Sequence, residues 1–158
     1  MKLPSAFRLL VCLLICLGIG VAGSVFTKPE IVGWYAGLVK PWWTPPPLVF
    51  PIVWTTLYVL IAVSLWRLWD RVLPSSARST AIGFFIVQLL LNAVWSPVFF
   101  GWHAPGWGLA IILALVVVLI ATIRSAAHVD RLAAWLLVPY LFWIAYAGTI
   151  NAGVVVLN

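Results

Sequence analysis

Four sets of residues in this 158-residue chain have the types and spacing to build a binding site. Gln88, Asn92, Trp95, Ser96 and Phe99 recur three and four apart. At about 100° per residue, a helix gathers them within about a third of its circumference. Tyr140, Trp143, Ala147 and Asn151 share a second face, and Trp54, Tyr58, Ile61 and Leu65 a third. On a fourth, Trp107 is followed by Ala110 and Ala114, which leave volume instead of filling it. Amide, phenol and indole groups among small residues suit a mostly apolar pocket for a flat aromatic or sterol-like ligand. Two other readings compete at this level. Asn92 and Gln88 also serve as hydrogen-bonding glue between helices, and tryptophans also form belts at membrane interfaces.

The groups that are missing narrow the chemistry. The only carboxylates are Glu30, Asp70 and Asp130, all read as loop or span-end residues, and His103 and His128 fall in loops. A proton-coupled exporter needs a buried acid, and a bis-histidine haem site needs histidines within helices. Cys12 and Cys16 lie four apart without a nearby histidine or carboxylate, so they read as apolar side chains and no metal site is expected. No phosphate-binding glycine loop and no nucleophile–base pair can be assembled. Acid–base and hydrolytic catalysis are therefore not expected, and no cofactor is required. Tryptophan redox or photochemistry stays open, because a ligand can bring the reactive group itself.

The elements that carry these faces follow from composition. Hydrophobic residues make up 65% of the chain, charged residues only 8%, and the mean hydropathy is +1.17. Charged residues are about a quarter of an ordinary soluble domain, so the surplus apolar surface must meet lipid. A helix needs about 20 apolar residues to cross the hydrocarbon core. Five segments qualify: 7–26, 48–69, 80–100, 107–123 and 132–157. The expectation is an all-α integral membrane protein, a single five-helix transmembrane domain over residues 1–158. Lys2 and Arg8 ahead of the first segment also fit a signal peptide cut near Ala22 to Ser24, but the run is long enough to span and retention is expected.

Lys2, Arg8, Arg67, Arg71, Arg78, Arg124 and Arg131 collect on one side of this arrangement, with only Lys28 and Lys40 opposite. The positive-inside rule then puts the N-terminus in the cytoplasm and the C-terminus outside. The net charge of +6 is explained by topology and anionic headgroups, not by nucleic acid. Pro97 and Pro139 each remove a helix donor, so a kink is expected at Pro97. Gly18 with Ala22, and Gly20 with Ser24, allow close helix contact either within one chain or across a dimer.

Between the first two spans, residues 27–47 form a connection rich in tryptophan and proline. Pro45, Pro46 and Pro47 favour a stiff extended segment, and Pro51 fits the first turn of the next helix. Trp42 and Trp43 are then held over the bundle end as a lid. Lys40 beside them has either a carboxylate or, more commonly, lipid headgroups as its partner.

Three stretches, WYAGLVKPWWTPPPLVFPIVWTTLY, QLLLNAVWSPVFFG and VPYLFWIAYAGTIN, closely resemble the tryptophan-rich sensory protein and translocator protein family. The resemblance runs from about Phe7 to Asn151 and includes Lys-Pro-x-Trp-x-Pro-Pro and Asn-x-x-Trp-Ser-Pro elements in the family's order. It implies a five-helix bundle, commonly a homodimer, that binds porphyrins such as protoporphyrin IX, sterols and benzodiazepine-type ligands. It also implies ligand contacts at Tyr35, Trp54, Asn92, Trp95, Trp107, Ala110, Trp143 and Ala147, with Asn151 nearby, and equates Trp54 and Trp143 with indoles implicated in light-dependent porphyrin breakdown. With the resemblance added, the cavity reading outweighs the belt reading. No Lys or Arg follows Arg131, so the C-terminal cholesterol-recognition pattern of mammalian members is incomplete after Tyr140 and Tyr146. The implied chain is a bacterial cell-envelope member, with a tetrapyrrole a better ligand than cholesterol. Three roles follow: receptor or regulator, light-dependent degrading enzyme, and carrier of porphyrin or lipid. The carrier ranks lowest, since neither inverted repeats nor a buried coupling residue is visible.

Overall fold

The computed structural model describes residues 4–158; Lys2 lies outside them. Its long helices are α1 (Ser5–Val32), α3 (Val49–Trp66), α4 (Ser76–Ser96), α5 (Pro105–Ala127) and α6 (Arg131–Leu157), with a single-turn helix α2 (Trp34–Gly37) after α1. Wider π-helical turns, Arg67–Arg71 and Pro97–Gly101, extend α3 and α4. With those turns counted, all five long helices are long and apolar enough to cross a membrane. The protein is an integral, multi-pass membrane protein.

Each expected span is present, and the differences lie at the ends. α1 continues to Val32, six residues past the expected stop at Phe26. Its 28 residues reach about 42 Å against a hydrocarbon core of about 30 Å, so Lys28, Pro29 and Glu30 can project beyond the lipid as helix. Pro29, in the last turn, leaves the Val25 carbonyl without its usual helix donor. The expected lid of 27–47 therefore shrinks to residues 33–48. α4 starts at Ser76, four residues early, because Ser75 caps it by accepting a hydrogen bond from the Arg78 N–H at 3.2 Å. The backbone at Pro97, where a kink was expected, relaxes into the π-helical turn, a local form that recurs at functional sites.

The helices close into a ring: α1 packs on α3, α3 on α6, α6 on α5, α5 on α4, and α4 back on α1. Helices in lipid gain nothing from hydrophobic association with one another, so close packing and hydrogen bonds must fix them. The α3–α6 seam shows both, in one antiparallel register. Arg67 pairs with Asp130 at 2.9 Å at one end, and the Ser64 hydroxyl donates to the Ala133 carbonyl at 2.8 Å. Higher up, the Tyr58 hydroxyl donates to Asn92 Oδ1, and Asn92 Nδ2 donates to the Tyr140 hydroxyl, each at 2.7 Å. The Trp54–Tyr140 and Phe50–Trp143 ring pairs finish the seam.

Gly20 lies beside Tyr58, and a methyl there would come within 2.6 Å of the phenol ring. One of the two small-residue pairs thus serves packing inside the chain. Gly18 and Ala22 face outward. Cys12 and Cys16 are buried free thiols in the bundle, as apolar side chains would be.

At the arginine-rich end, Asp70 accepts from the Ser5 hydroxyl at 2.6 Å and from Arg8 at 3.3 Å, with Arg71 at 3.6 Å. Arg78 donates instead to the carbonyls of Leu68 and Trp69. Asp130 caps α6 by accepting from the Ala133 N–H at 3.0 Å. Burial pushes the Asp130 carboxyl up, but that N–H and the Arg67 guanidinium together outweigh it and hold the group below the usual carboxylate value. A folded value below the unfolded one, about 3.9, means the stabilisation is complete above the unfolded value and is lost as pH falls through the folded value. Asp130→Asn keeps the cap and removes the charge. It should cost on the order of 1 kcal/mol at neutral pH and flatten the loss of thermal stability below about pH 4, measured by melting in detergent across an acid series.

Candidate functional site

The end of the bundle opposite the arginines holds Tyr35, Trp54, Trp95 and Trp143, and the lid is tied down on it. Pro41 is buried against Gly153 of α6, where an added methyl would overlap the proline ring. The Tyr146 hydroxyl donates to the Trp43 carbonyl at 2.6 Å, and the Trp43 indole N–H donates to the Thr149 hydroxyl at 3.2 Å. The Asn158 side chain both accepts from the Val39 N–H and donates to its carbonyl, each at 3.0 Å. Lys40 has no carboxylate partner among the described residues, one of the two partners the sequence suggested. Its ammonium donates to the carbonyls of Tyr35 and Leu38 at 2.8 and 2.9 Å and sits 4.8 Å from the Tyr35 ring centre. Burial pushes the Tyr35 phenol above its ordinary range. Trp43 is thus anchored, whereas Trp42 is 91% exposed and only edges against Trp43. Turns at Pro41–Thr44 and Pro46–Val49 bracket the proline run and shorten its extended part.

Beneath the lid the aromatic side chains form two groups. In the first, Trp54 stacks on Tyr58 at 5.3 Å and meets Tyr140 edge-on at 6.3 Å, while Trp143 contacts Phe50 and Tyr146. In the second, Tyr35 packs on Phe99 and Phe100, Phe99 stacks on Trp95 at 5.0 Å, and the Trp95 N–H donates to Asn151 Oδ1 at 3.3 Å. Asn151 also donates to the Pro105 carbonyl at 2.8 Å, joining α4, α5 and α6. Gly108 makes this approach possible, since a methyl there would lie 3.0 Å from Phe99 and 3.1 Å from Asn151. Trp95 touches both groups. Ala147 is half-buried on α6, one turn from both Trp143 and Asn151.

Tyr35, Trp54, Asn92, Trp95, Trp143, Ala147 and Asn151 therefore face the same end of the bundle. Trp107 and Ala110 do not join them. Trp107 is 72% exposed and Ala110 is also exposed, because α5 turns Gly108, Ile112, Leu115 and Leu119 inward. α5 has an almost wholly apolar sequence from Trp107 to Ile123, so periodicity carries no information about which face meets lipid. Gly108 was the available signal. Sequence reasoning also missed Phe50, Thr149 and Gly153, and it missed the Glu30–His103 contact at 2.9 Å with Trp34 stacked on His103 at 4.4 Å.

Trp54 and Trp143 are half-buried, each packed against rings of α3 and α6. A recess of about 320 Å³ lies to the side, between Trp34, Leu38, His103, Pro105, Val154 and Asn158. Asn92, which read equally as cavity wall or glue, spends both ends of its amide on Tyr58 and Tyr140. Among the described residues four side chains keep buried polar atoms unsatisfied, one of them Arg8, at its Nε in the arginine-rich end. Trp143 Nε1, Thr44 Oγ1 and both amide atoms of Gln88 are buried without a hydrogen-bond partner. An unpaired buried donor costs about 1–3 kcal/mol, so the Trp143 N–H, at the aromatic end, is a place where an acceptor-bearing molecule gains by binding.

Comparison with known proteins agrees with this architecture. The model of the TspO/MBR family matches residues 12–157. A tryptophan-rich protein TspO of Archaeoglobus fulgidus is 41% identical over 154 residues, covering 98% of this chain and 99% of its own length. Its namesake in Chlorobaculum tepidum is 37% identical over 150 residues, 95% of each chain. The human translocator protein is 38% identical over 130 residues, 82% of this chain and 77% of its own.

The Gly153 contact makes the lid's anchorage testable. Gly153→Val should dislodge Pro41 and cost about 1–3 kcal/mol, with faster hydrogen–deuterium exchange in peptides covering residues 34–48. Gly37→Val, where an added methyl meets nothing within 4 Å, should leave that exchange unchanged.

Proposed function

This chain belongs to the TspO/MBR family, and from that premise we propose that it is a membrane receptor or regulator that takes up tetrapyrroles of the protoporphyrin IX class. Other flat hydrophobic molecules fit the same description. The ligand lies under the lid, with Trp54, Trp95, Trp143 and Tyr35 as apolar walls and Asn151 and Ala147 beside it. Related proteins are named tryptophan-rich sensory protein and translocator protein, which suits a sensing or regulatory role. The natural setting is a bacterial cell envelope, with the chain acting as a homodimer.

The observation that carries the reading is the Trp143 indole N–H, buried and unpaired beside the hydrogen-bonded Tyr58–Asn92–Tyr140 set. A porphyrin supplies a wide π-face for the rings and carboxylate acceptors for such a donor. Entry requires the lid and the packed indoles to part, and the lid is fastened by a few hydrogen bonds and one proline contact. Those contacts are small enough for binding energy to offset. Protoporphyrin IX titrated into the purified protein in darkness should quench tryptophan fluorescence saturably. Trp143→Phe keeps the ring and loses one hydrogen bond, so affinity should drop about five- to tenfold. The Trp54→Ala, Trp143→Ala pair should drop it further. Unchanged affinity in that pair would place the ligand elsewhere.

A second reading has a specific observation in its favour. The Tyr58 and Tyr140 rings lie 5.3 and 6.3 Å from the Trp54 ring, and Trp143 and Tyr146 form a separate pair at 5.7 Å. Two such groups of oxidisable rings suit light-driven oxidation of bound porphyrin by dioxygen. Illuminated complex should then yield a product absent from illuminated porphyrin in buffer, and Trp54→Phe, Trp143→Phe should lose it. Identical mass spectra for protein and buffer samples dispose of the enzyme.

A further inference from the structure

A second concavity is unrelated to the aromatic end. It has a volume of about 560 Å³, lies on the outer face of α5 and is lined by Val117, Ile120, Ala121, Arg124 and Ser125. We propose that this groove is a binding site for one anionic phospholipid of the leaflet at the arginine-rich end. An acyl chain lies along Val117, Ile120 and Ala121, and the phosphate is held by Arg124 and Ser125.

The spacing sets the depth. From Val117 to Arg124 is about 10 Å along the helix axis, so the apolar wall falls in hydrocarbon when Arg124, in the last turn of α5, stands at the headgroups. Ala121 and Ser125, one turn apart, are the small floor of the groove, and Val117, Ile120 and Arg124 are its taller walls.

Charge selects the occupant. The ion pairs among the described residues engage Asp70 with Arg8 and Arg71, and Asp130 with Arg67. Arg78 is spent on backbone carbonyls. Arg124 is exposed and in none of these contacts, and α5 contains no acidic residue to answer it. A basic side chain at the end of a transmembrane helix attracts anionic headgroups by roughly 1 kcal/mol. A second copy of the chain is disfavoured on the same ground. In a two-fold dimer through this face, the two Arg124 side chains would meet at one depth with no carboxylate between them.

The test uses the full-length protein in neutral detergent, with phosphatidylglycerol and phosphatidylcholine of identical acyl chains added at equal trace amounts and retained lipid counted by native mass spectrometry. Wild type should keep one phosphatidylglycerol in at least fivefold preference. Arg124→Gln should erase the preference, whereas Arg131→Gln, which removes the same charge outside the groove, should preserve it. Ile120→Trp, which fills the groove, should lower retention of both lipids. Equal behaviour of Arg124→Gln and wild type overturns the site, as does an equal loss in Arg131→Gln, which marks a diffuse charge effect. Displacement by millimolar inorganic phosphate overturns the lipid assignment in favour of a simple anion site. Efficient Ile120→Cys disulfide crosslinking between copies in membranes overturns it in favour of a dimer seam.

Discussion

One amide holds the arrangement together. Asn92 offers a single carbonyl and a single NH₂ toward its neighbours, and the two tyrosines that occupy them come from α3 and α6. In lipid such bonds average a few tenths to about 2 kcal/mol, modest as energy but strict as geometry. With both ends of the amide occupied, α4 has one rotation. Trp95, a turn beyond Asn92, then points at Asn151. Trp54, a turn from Tyr58, and Trp143, a turn from Tyr140, are brought to the same seam. Gly20 is part of this constraint, because the Tyr58 ring occupies the space where any side chain on α1 would stand.

The tryptophans divide by environment in a way that bears on function. Trp42, Trp102, Trp107 and Trp135 are largely exposed at helix ends, where an amphipathic indole is stable between headgroup and hydrocarbon. Trp54, Trp95 and Trp143 turn inward and pack against the core. Both the belt and the pocket readings therefore describe this protein, each for a different subset. The inward three are held by rings from other helices, so space for a ligand depends on those rings and the lid moving together. Rigidity below, at the Asn92 clamp, and lighter fastening above, at the lid, are the combination a ligand-gated site needs.

The two ends of the bundle differ in how they handle charge. At the arginine-rich end every described carboxylate is paired and positive charge remains, which suits an anionic membrane surface. At the lid end the two lysines have no carboxylate partner among the described ion pairs. Lys40 is consumed by carbonyls of the lid itself, and Glu30 pairs with His103 instead. Lys40 thus acts as an internal tie for a segment too short and proline-rich to satisfy its own carbonyls.

How much of this was legible in the residues depends on the physical signal each feature leaves. Five runs of about 20 apolar residues leave no alternative to five spans, since each backbone must satisfy its own polar groups in lipid. The inward faces of α3, α4 and α6 were also readable, because Tyr58, Asn92, Tyr140 and Asn151 are too costly to turn toward hydrocarbon. α5 left no such mark: its lipid face and its helix face are equally apolar, so Trp107 and Ala110 were assigned inward and stand outside. Helix ends were misjudged where a chain can continue past the membrane at little cost, as α1 does through Pro29. Only the tertiary structure decided that Asn92 is a clamp, that Lys40 ties the lid and that Trp54 and Trp143 meet rings of α3 and α6. Each of those depends on which groups arrive within about 3 Å of one another from distant parts of the chain, and spacing along a single helix contains no information about that distance.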